Sequence, residues 1–211
     1  ETAAEQFRAL AAIQRKLGAD VRLSNRQNVV FRNLQEDQLR ELYDALDAIG
    51  MARPGAELAR DVVACPGADT CNIAVTQSRG LAKAIGERLE EEGLAEVGGV
   101  RVNISGCTNS CGQHHAADIG LFGAERRAHG RSLPGYQLLL GGYVGEEQIH
   151  FGQKALRLPA RTAPEGVARV VRRFADERLA GEPFADWLKR IGGPSKVADG
   201  LRDLDEVPTP E

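Results

Sequence analysis

The chain has 211 residues, 42% of them apolar, and its charged residues nearly cancel to a formal net charge of −3. That length buries a real core in one domain or two small ones, and the balanced charge argues against a nucleic-acid surface as the main business. No apolar run approaches the roughly 18 residues of a membrane span and no charged-then-apolar leader is seen, so the expectation is a cytoplasmic protein without nucleic-acid or membrane partners.

In chain order, residues 3–17 read as an amphipathic helix, with Phe7, Leu10, Ile13 and Leu17 at helical spacing and Gly18 as its stop. Val21–Leu23 and Asn28–Phe31 read as short strands broken by the polar Ser24-Asn25-Arg26-Gln27. A second helix is expected over 35–49, with Leu39, Leu42, Tyr43, Leu46 and Ile49 on one face, and Pro54-Gly55 breaks the chain after it. Residues 74–95 read as a long helix and Val100–Ile104 as a strand. Ala117–Phe122 and Tyr136–Leu140 are further strand candidates, with Glu125, Arg126 and Arg127 in a polar Gly-rich loop between them. A helix follows over 164–180, and a short one carries Phe184, Trp187, Leu188 and Ile191. The expected class is α/β or α+β, organised as 1–55, 56–191 and a Gly/Pro/Asp-rich surface tail over 192–211.

The chemistry concentrates in two loops. Cys65-Pro66-Gly67-Ala68-Asp69-Thr70-Cys71 and Gly106-Cys107-Thr108-Asn109-Ser110-Cys111-Gly112 hold all four cysteines, with 35 residues between the pairs. Without an export signal, four cysteines point to metal ligands rather than disulfides. Four thiolates suit a tetrahedral zinc or an iron–sulfur cluster. The five-residue gap of the first pair is wide for a zinc knuckle, whereas a cubane takes ligands from more separated backbone. Gly67, Gly106 and Gly112 allow close approach of main-chain N–H groups to sulfur. From Val102 to Ala117 there is no Asp, Glu, Lys or Arg, as befits a desolvated, hydrogen-bonding cofactor wall. The adjacent His114 and His115 read as one ring turned out and one satisfied by hydrogen bonds, rather than as ligands.

Together these residues resemble the sirohaem-dependent sulfite and nitrite reductases. The resemblance rests on Cys-x5-Cys followed by Gly-Cys-x-Asn-x-Cys-Gly, and extends to Arg22–Asn28, Ala117–Leu121 and Tyr136–Gly142. It implies an α+β chain: part of a ferredoxin-like (parachute) domain, then an α/β domain binding a [4Fe–4S] cluster and sirohaem. By the same resemblance Cys65, Cys71, Cys107 and Cys111 are the cluster ligands, and the Cys111 sulfur also touches the sirohaem iron. Arg22, Arg26, Gln27, Asn28, Asn109 and Gln113 are the implied macrocycle contacts. No catalytic acid is assigned, because the family's substrate-gripping basic residues lie mainly in a first half that this sequence does not match. The implied activity is six-electron reduction of sulfite to sulfide or nitrite to ammonia. Its partners would be the missing N-terminal half and a ferredoxin or flavoprotein donor. The alternative is a stand-alone iron–sulfur electron-transfer module without haem.

Overall fold

The computed structural model of the protein describes residues 2–145 and 148–207. The chain divides into two compact units, up to Ala56 and from Glu57 onward. Helix and sheet are mixed throughout, so the class is α+β.

The first unit comprises α1 (Ala4–Leu17), β1 (Asp20–Leu23), β2 (Val29–Arg32) and α2 (Gln38–Asp47). The Gln6 side chain accepts the Ala3 N–H at the start of α1, and Gly18 ends the helix at φ 64°. β1 and β2 form an antiparallel hairpin in which Leu23 faces Val29. The Ser24 hydroxyl closes its turn by accepting the Arg26 and Asn28 N–H groups. Leu10, Leu17 and Ala19 are buried, but Phe7, Leu39 and Tyr43 of the expected apolar stripes stay more than half exposed.

The second unit is built on a five-stranded sheet ordered β3-β4-β5-β6-β9: β3 (Val63–Ala64), β4 (Val102–Ser105), β5 (Ile119–Ala128), β6 (Arg131–Leu140) and β9 (Gln153–Pro159). A small ribbon of β7 (Tyr143–Val144) and β8 (Ile149–His150) lies between β6 and β9 in sequence. β3 pairs parallel to β4 and β4 parallel to β5, while β5, β6 and β9 are antiparallel. The crossover from β3 to β4 carries α3 (Ser78–Glu91), as a parallel connection requires. α4 (Ala163–Glu177), α5 (Phe184–Arg190) and α6 (Pro194–Asp199) complete the unit.

The strands are two-faced. Val102, Ile104, Ile119, Leu121, Tyr136, Leu138 and Leu140 join one core with Leu81, Ile85 and Leu89 of α3 and Val167, Val170, Val171 and Phe174 of α4. Each fully buried side chain of this kind contributes about 1.5–3 kcal/mol. The alternate residues Asn103, Ser105, Gly120 and Phe122 belong to the opposite face, as the period of two demands.

Two expectations are corrected. Glu125, Arg126 and Arg127 are not in a loop. They extend β5 in unbroken register against β6, from Ile119↔Leu140 to Ala128↔Arg131. His129 and Gly130, both at positive φ, make the two-residue turn. Alternating exposure along this arm reflects a strand with one wet face, and Arg126 pairs with Asp205. Nor is the stretch after Gly192 a bare surface tail over its described length: α6 and the turn after it bury Val197, Leu201 and Leu204 in the core.

Candidate metal centre

β3 and β4 run in the same direction, so the two cysteine loops leave the sheet at the same end. Cys65 follows β3 directly, and its N–H donates to the Ile104 carbonyl at 3.1 Å, one step beyond the strand pairing. Cys107 follows β4 by one residue, Gly106.

Gly106 ties the loops together through both polar atoms of its backbone. Its N–H donates to Cys65 Sγ at 3.2 Å. Its carbonyl accepts the N–H groups of Val75 at 2.8 Å and Thr76 at 3.2 Å. The segment Ala74–Gln77, expected to be helical, is therefore a grip on the second loop, and α3 begins only at Ser78. The first loop is closed by a tight 3₁₀ turn over Gly67–Asp69, with the Cys71 N–H on the Gly67 carbonyl at 3.0 Å. A methyl on Gly106 would stand 2.9 Å from both the Gly67 Cα and the Thr76 carbonyl oxygen, so only glycine permits this approach.

The second loop folds back over the Asn103/Ser105 face of β4. Asn103 donates its side-chain amide to the Gly112 carbonyl at 3.0 Å, and the Gly112 N–H donates to Ser105 Oγ at 3.0 Å. Ser105 Oγ also meets His114 Nδ1 at 2.8 Å. His114 is wholly buried, stacked 4.1 Å from the His115 ring and 5.0 Å from Phe122. Burial, with the neighbouring His115 adding to it, pushes its pKa down to about 4, so the ring is neutral at ordinary pH. Its Nε2 has no hydrogen-bond partner among the described residues. Asp118 holds the far end of the loop: its carboxylate takes the Arg101 N–H at 2.8 Å and Nε at 3.2 Å. Burial raises its pKa, and Arg101 opposes the rise.

All four cysteines are free thiols: Cys65 buried, Cys71 and Cys107 half-buried, Cys111 exposed. Among the described residues no three Cys, His, Asp or Glu side chains converge closely enough to share one metal ion. Four thiolates on one zinc would each stand about 2.3 Å from it. Four thiolates that each hold a different iron are spread more widely, and two separate loops with a buried, N–H-lined base suit that donor set. His115 is half-buried, its ring 5.7 Å from Phe151. Asn109 is exposed, and Gln113, also exposed, lies beyond Cys111 at φ 57°.

In the first unit, Arg22, Arg26, Gln27 and Asn28 gather on the β1–β2 hairpin. Arg22 is exposed and pairs with Asp20, Gln27 takes φ 64° in the turn, and Arg26 and Asn28 are half-buried. Sequence reasoning missed Thr76, Ser78 and Ser105, which anchor the cysteine loops. Ser78 falls inside the helix expected over 74–95, where nothing marks it out, and the pairing of Ser105 with residues 7 and 9 positions on has no periodic signature.

The family profile described as "Nitrite and sulphite reductase 4Fe-4S domain" matches residues 55–195, and "Nitrite/Sulfite reductase ferredoxin-like half domain" matches residues 1–49. "Sulfite reductase [ferredoxin] 2" of Mycolicibacterium paratuberculosis is 33% identical over 192 residues, covering 86% of this chain and 34% of that protein. "Ferredoxin--nitrite reductase" of Synechococcus elongatus is 36% identical over 163 residues, covering 77% of this chain and 31% of that protein. The solved structure of the Mycobacterium tuberculosis NirA protein superposes with a TM-score of 0.73 at 30% identity, covering 90% of this chain and 36% of that one. The chain thus spans about a third of the length of the curated relatives it matches. Among the described residues no helix is long and apolar enough to cross a membrane.

Proposed function

This chain belongs to the nitrite and sulphite reductase family, and from that membership we propose that it is the C-terminal half of a sulfite or nitrite reductase. Cys65, Cys71, Cys107 and Cys111 would hold a [4Fe–4S] cluster in this reading, and Cys111 would also serve sirohaem. Cys111 fits that role because it is the exposed thiol of the four, open to a second group. When bound, cluster and sirohaem would relay electrons from an external donor to the anion for the six-electron reduction of sulfite to sulfide or nitrite to ammonia.

The observation that carries the reading is the double tie at Gly106, which brings Cys65 against the base of the Cys107–Cys111 loop. Around that tie the residues of the chain exclude water and orient ligands. Asn103 and Ser105 hold the second loop in place without adding charge, and neutral His114 fills the space behind it. Asn109 and Gln113 are proposed as macrocycle contacts from the exposed side of this loop. Within the first unit, Arg22, Arg26, Gln27 and Asn28 are proposed in the same capacity, the guanidinium forks suiting the carboxylates of the macrocycle. The N-terminal half of the enzyme would bring the basic residues that grip the anion. A ferredoxin, which the names of the two relatives give as their own donor, or a flavoprotein would deliver the electrons.

The test is anaerobic co-expression with a matching N-terminal half and a sirohaem supply, followed by absorption spectroscopy and iron and acid-labile sulfide analysis. Sirohaem bands together with four irons of cluster per chain are expected. Cluster without haem would favour the electron-transfer module, and zinc in place of iron would overturn the reading.

A further inference from the structure

Cys65 differs from the other three thiols in what surrounds its sulfur. Among the described residues it alone of the four has hydrogen-bond partners on Sγ: the Gly106 N–H at 3.2 Å and the Ser78 hydroxyl oxygen at 3.4 Å. It is also the buried one. Ser78 is itself wholly buried, and its hydroxyl hydrogen is spent elsewhere, on the Cys65 carbonyl at 2.7 Å. With that hydrogen engaged, only a protonated Cys65 thiol would have a hydrogen left for the 3.4 Å contact.

Iron binding removes that arrangement. A cysteine that ligates iron gives up its proton to solvent and becomes an acceptor only. Ser78 Oγ and Cys65 Sγ would then face each other as two acceptors in a dry site, an unfavourable pairing. The hydroxyl has one soft torsion by which to relieve it, because Ser78 Oγ lies within reach of both acceptors on Cys65. Gly67 packs against Ser78 so closely that a Cβ there would stand 2.4 Å from Ser78 Oγ, so the oxygen stays in place and the turn moves only the hydroxyl hydrogen.

We propose that Ser78 is a positioning residue for the cluster, whose hydroxyl turns from the Cys65 carbonyl to the Cys65 sulfur when iron binds. Cys65 then carries two hydrogen bonds, from Ser78 and Gly106, at the buried corner of the cluster. Hydrogen bonds to cluster sulfurs stabilise the more negative, reduced state and raise the reduction potential. The inference rests on the reading of Cys65 as a cluster ligand.

The full chain, reconstituted anaerobically with iron and sulfide, is compared with Ser78→Ala, Ser78→Thr and Ser78→Val. Iron content and the cluster's midpoint potential are measured for each. Ser78→Ala is expected to load iron and show a lower midpoint potential than wild type. Thr and Val are equal in bulk, so Ser78→Thr staying near wild type while Ser78→Val falls with the alanine variant isolates the hydroxyl. Equal potentials for Thr and Val at equal iron content overturn the proposal while leaving the cluster reading intact. A wild-type chain that takes up no cluster defeats the ligand reading itself, and this inference with it. If alanine and valine variants fail to load, the wild type decides by pulsed EPR of the reduced cluster after exchange into deuterium oxide. Two coupled exchangeable deuterons, the Gly106 amide and the Ser78 hydroxyl, are expected, and a single one overturns the assignment.

Discussion

A side chain on Gly106 would stand 2.9 Å from the Cα of Gly67, closer than real Cβ atoms approach main chain. The two cysteine loops are in contact at this point, each with its backbone bare. Gly106→Ala is therefore expected to push the loops apart. Overpacking of this kind costs roughly 1–3 kcal/mol, and the larger effect falls on the site, since the Gly106 N–H would leave Cys65 Sγ. Lower thermal stability and a sharply reduced iron content after reconstitution check this; wild-type iron loading would contradict it.

Ser105 is a small hub, meeting the Gly112 N–H and His114 Nδ1 at once. Ser105→Ala strands both in a buried place. Each unsatisfied buried group costs about 1–3 kcal/mol, so a loss of several kcal/mol is expected in chemical denaturation. Ser105→Thr keeps the hydroxyl and is expected to recover part of that loss.

His114 gives the metal-free chain a pH dependence of definite sign. Its pKa is near 4 in the fold, against 6.5 when unfolded. Above pH 6.5 neither state binds a proton there and the ring adds no pH dependence. Between 6.5 and 4 the unfolded chain is protonated and the folded one is not, so stability is lost as pH falls through that window. From pH 7.5 to pH 5 the His114 contribution to the loss is about 2 kcal/mol. His114→Phe is expected to flatten this limb of the stability–pH curve, and an unchanged limb would remove His114 as its source.

Leu201 is 2% exposed although it follows a Gly- and Asp-rich stretch. Leu201→Ala is expected to cost roughly 2–5 kcal/mol. A tail on the surface would show next to none, so one melting curve separates the two descriptions.

Cys111→Ser bears on the proposed bridge. In the assembled enzyme it is expected to abolish the magnetic coupling between haem and cluster, read by Mössbauer or EPR spectroscopy. Coupling that survives the substitution would rule Cys111 out as the shared ligand.

The cysteine loops were legible in the sequence because their chemistry is local: four thiols, flanking glycines and a charge-free wall lie in two short runs. The strands that aim them were less so. β3 is two residues, Val63 and Ala64, too short to show any period, and its place is fixed by pairing with Asn103 and Ile104 far along the chain. The arm from Glu125 to Arg127 looked like a loop because charge dominates it, yet alternation with a wet face is what an extended hairpin requires. Val197, Leu201 and Leu204 were hidden among Gly, Asp and Lys, and only the tertiary fold shows that they turn inward. Ser78 carries no signal at all in one dimension, since its partner is 13 residues away on another element.

The co-directional course of β3 and β4 has a consequence for transplanting this centre. What aligns the thiols is a pair of neighbouring strand ends and one shared peptide, and with all four cysteines they are contained in residues 63–78 and 103–112. The crossover between them has only to depart and return. A grafted host with two adjacent parallel strands would need those two pieces, and the length of its own intervening helix would be free to vary.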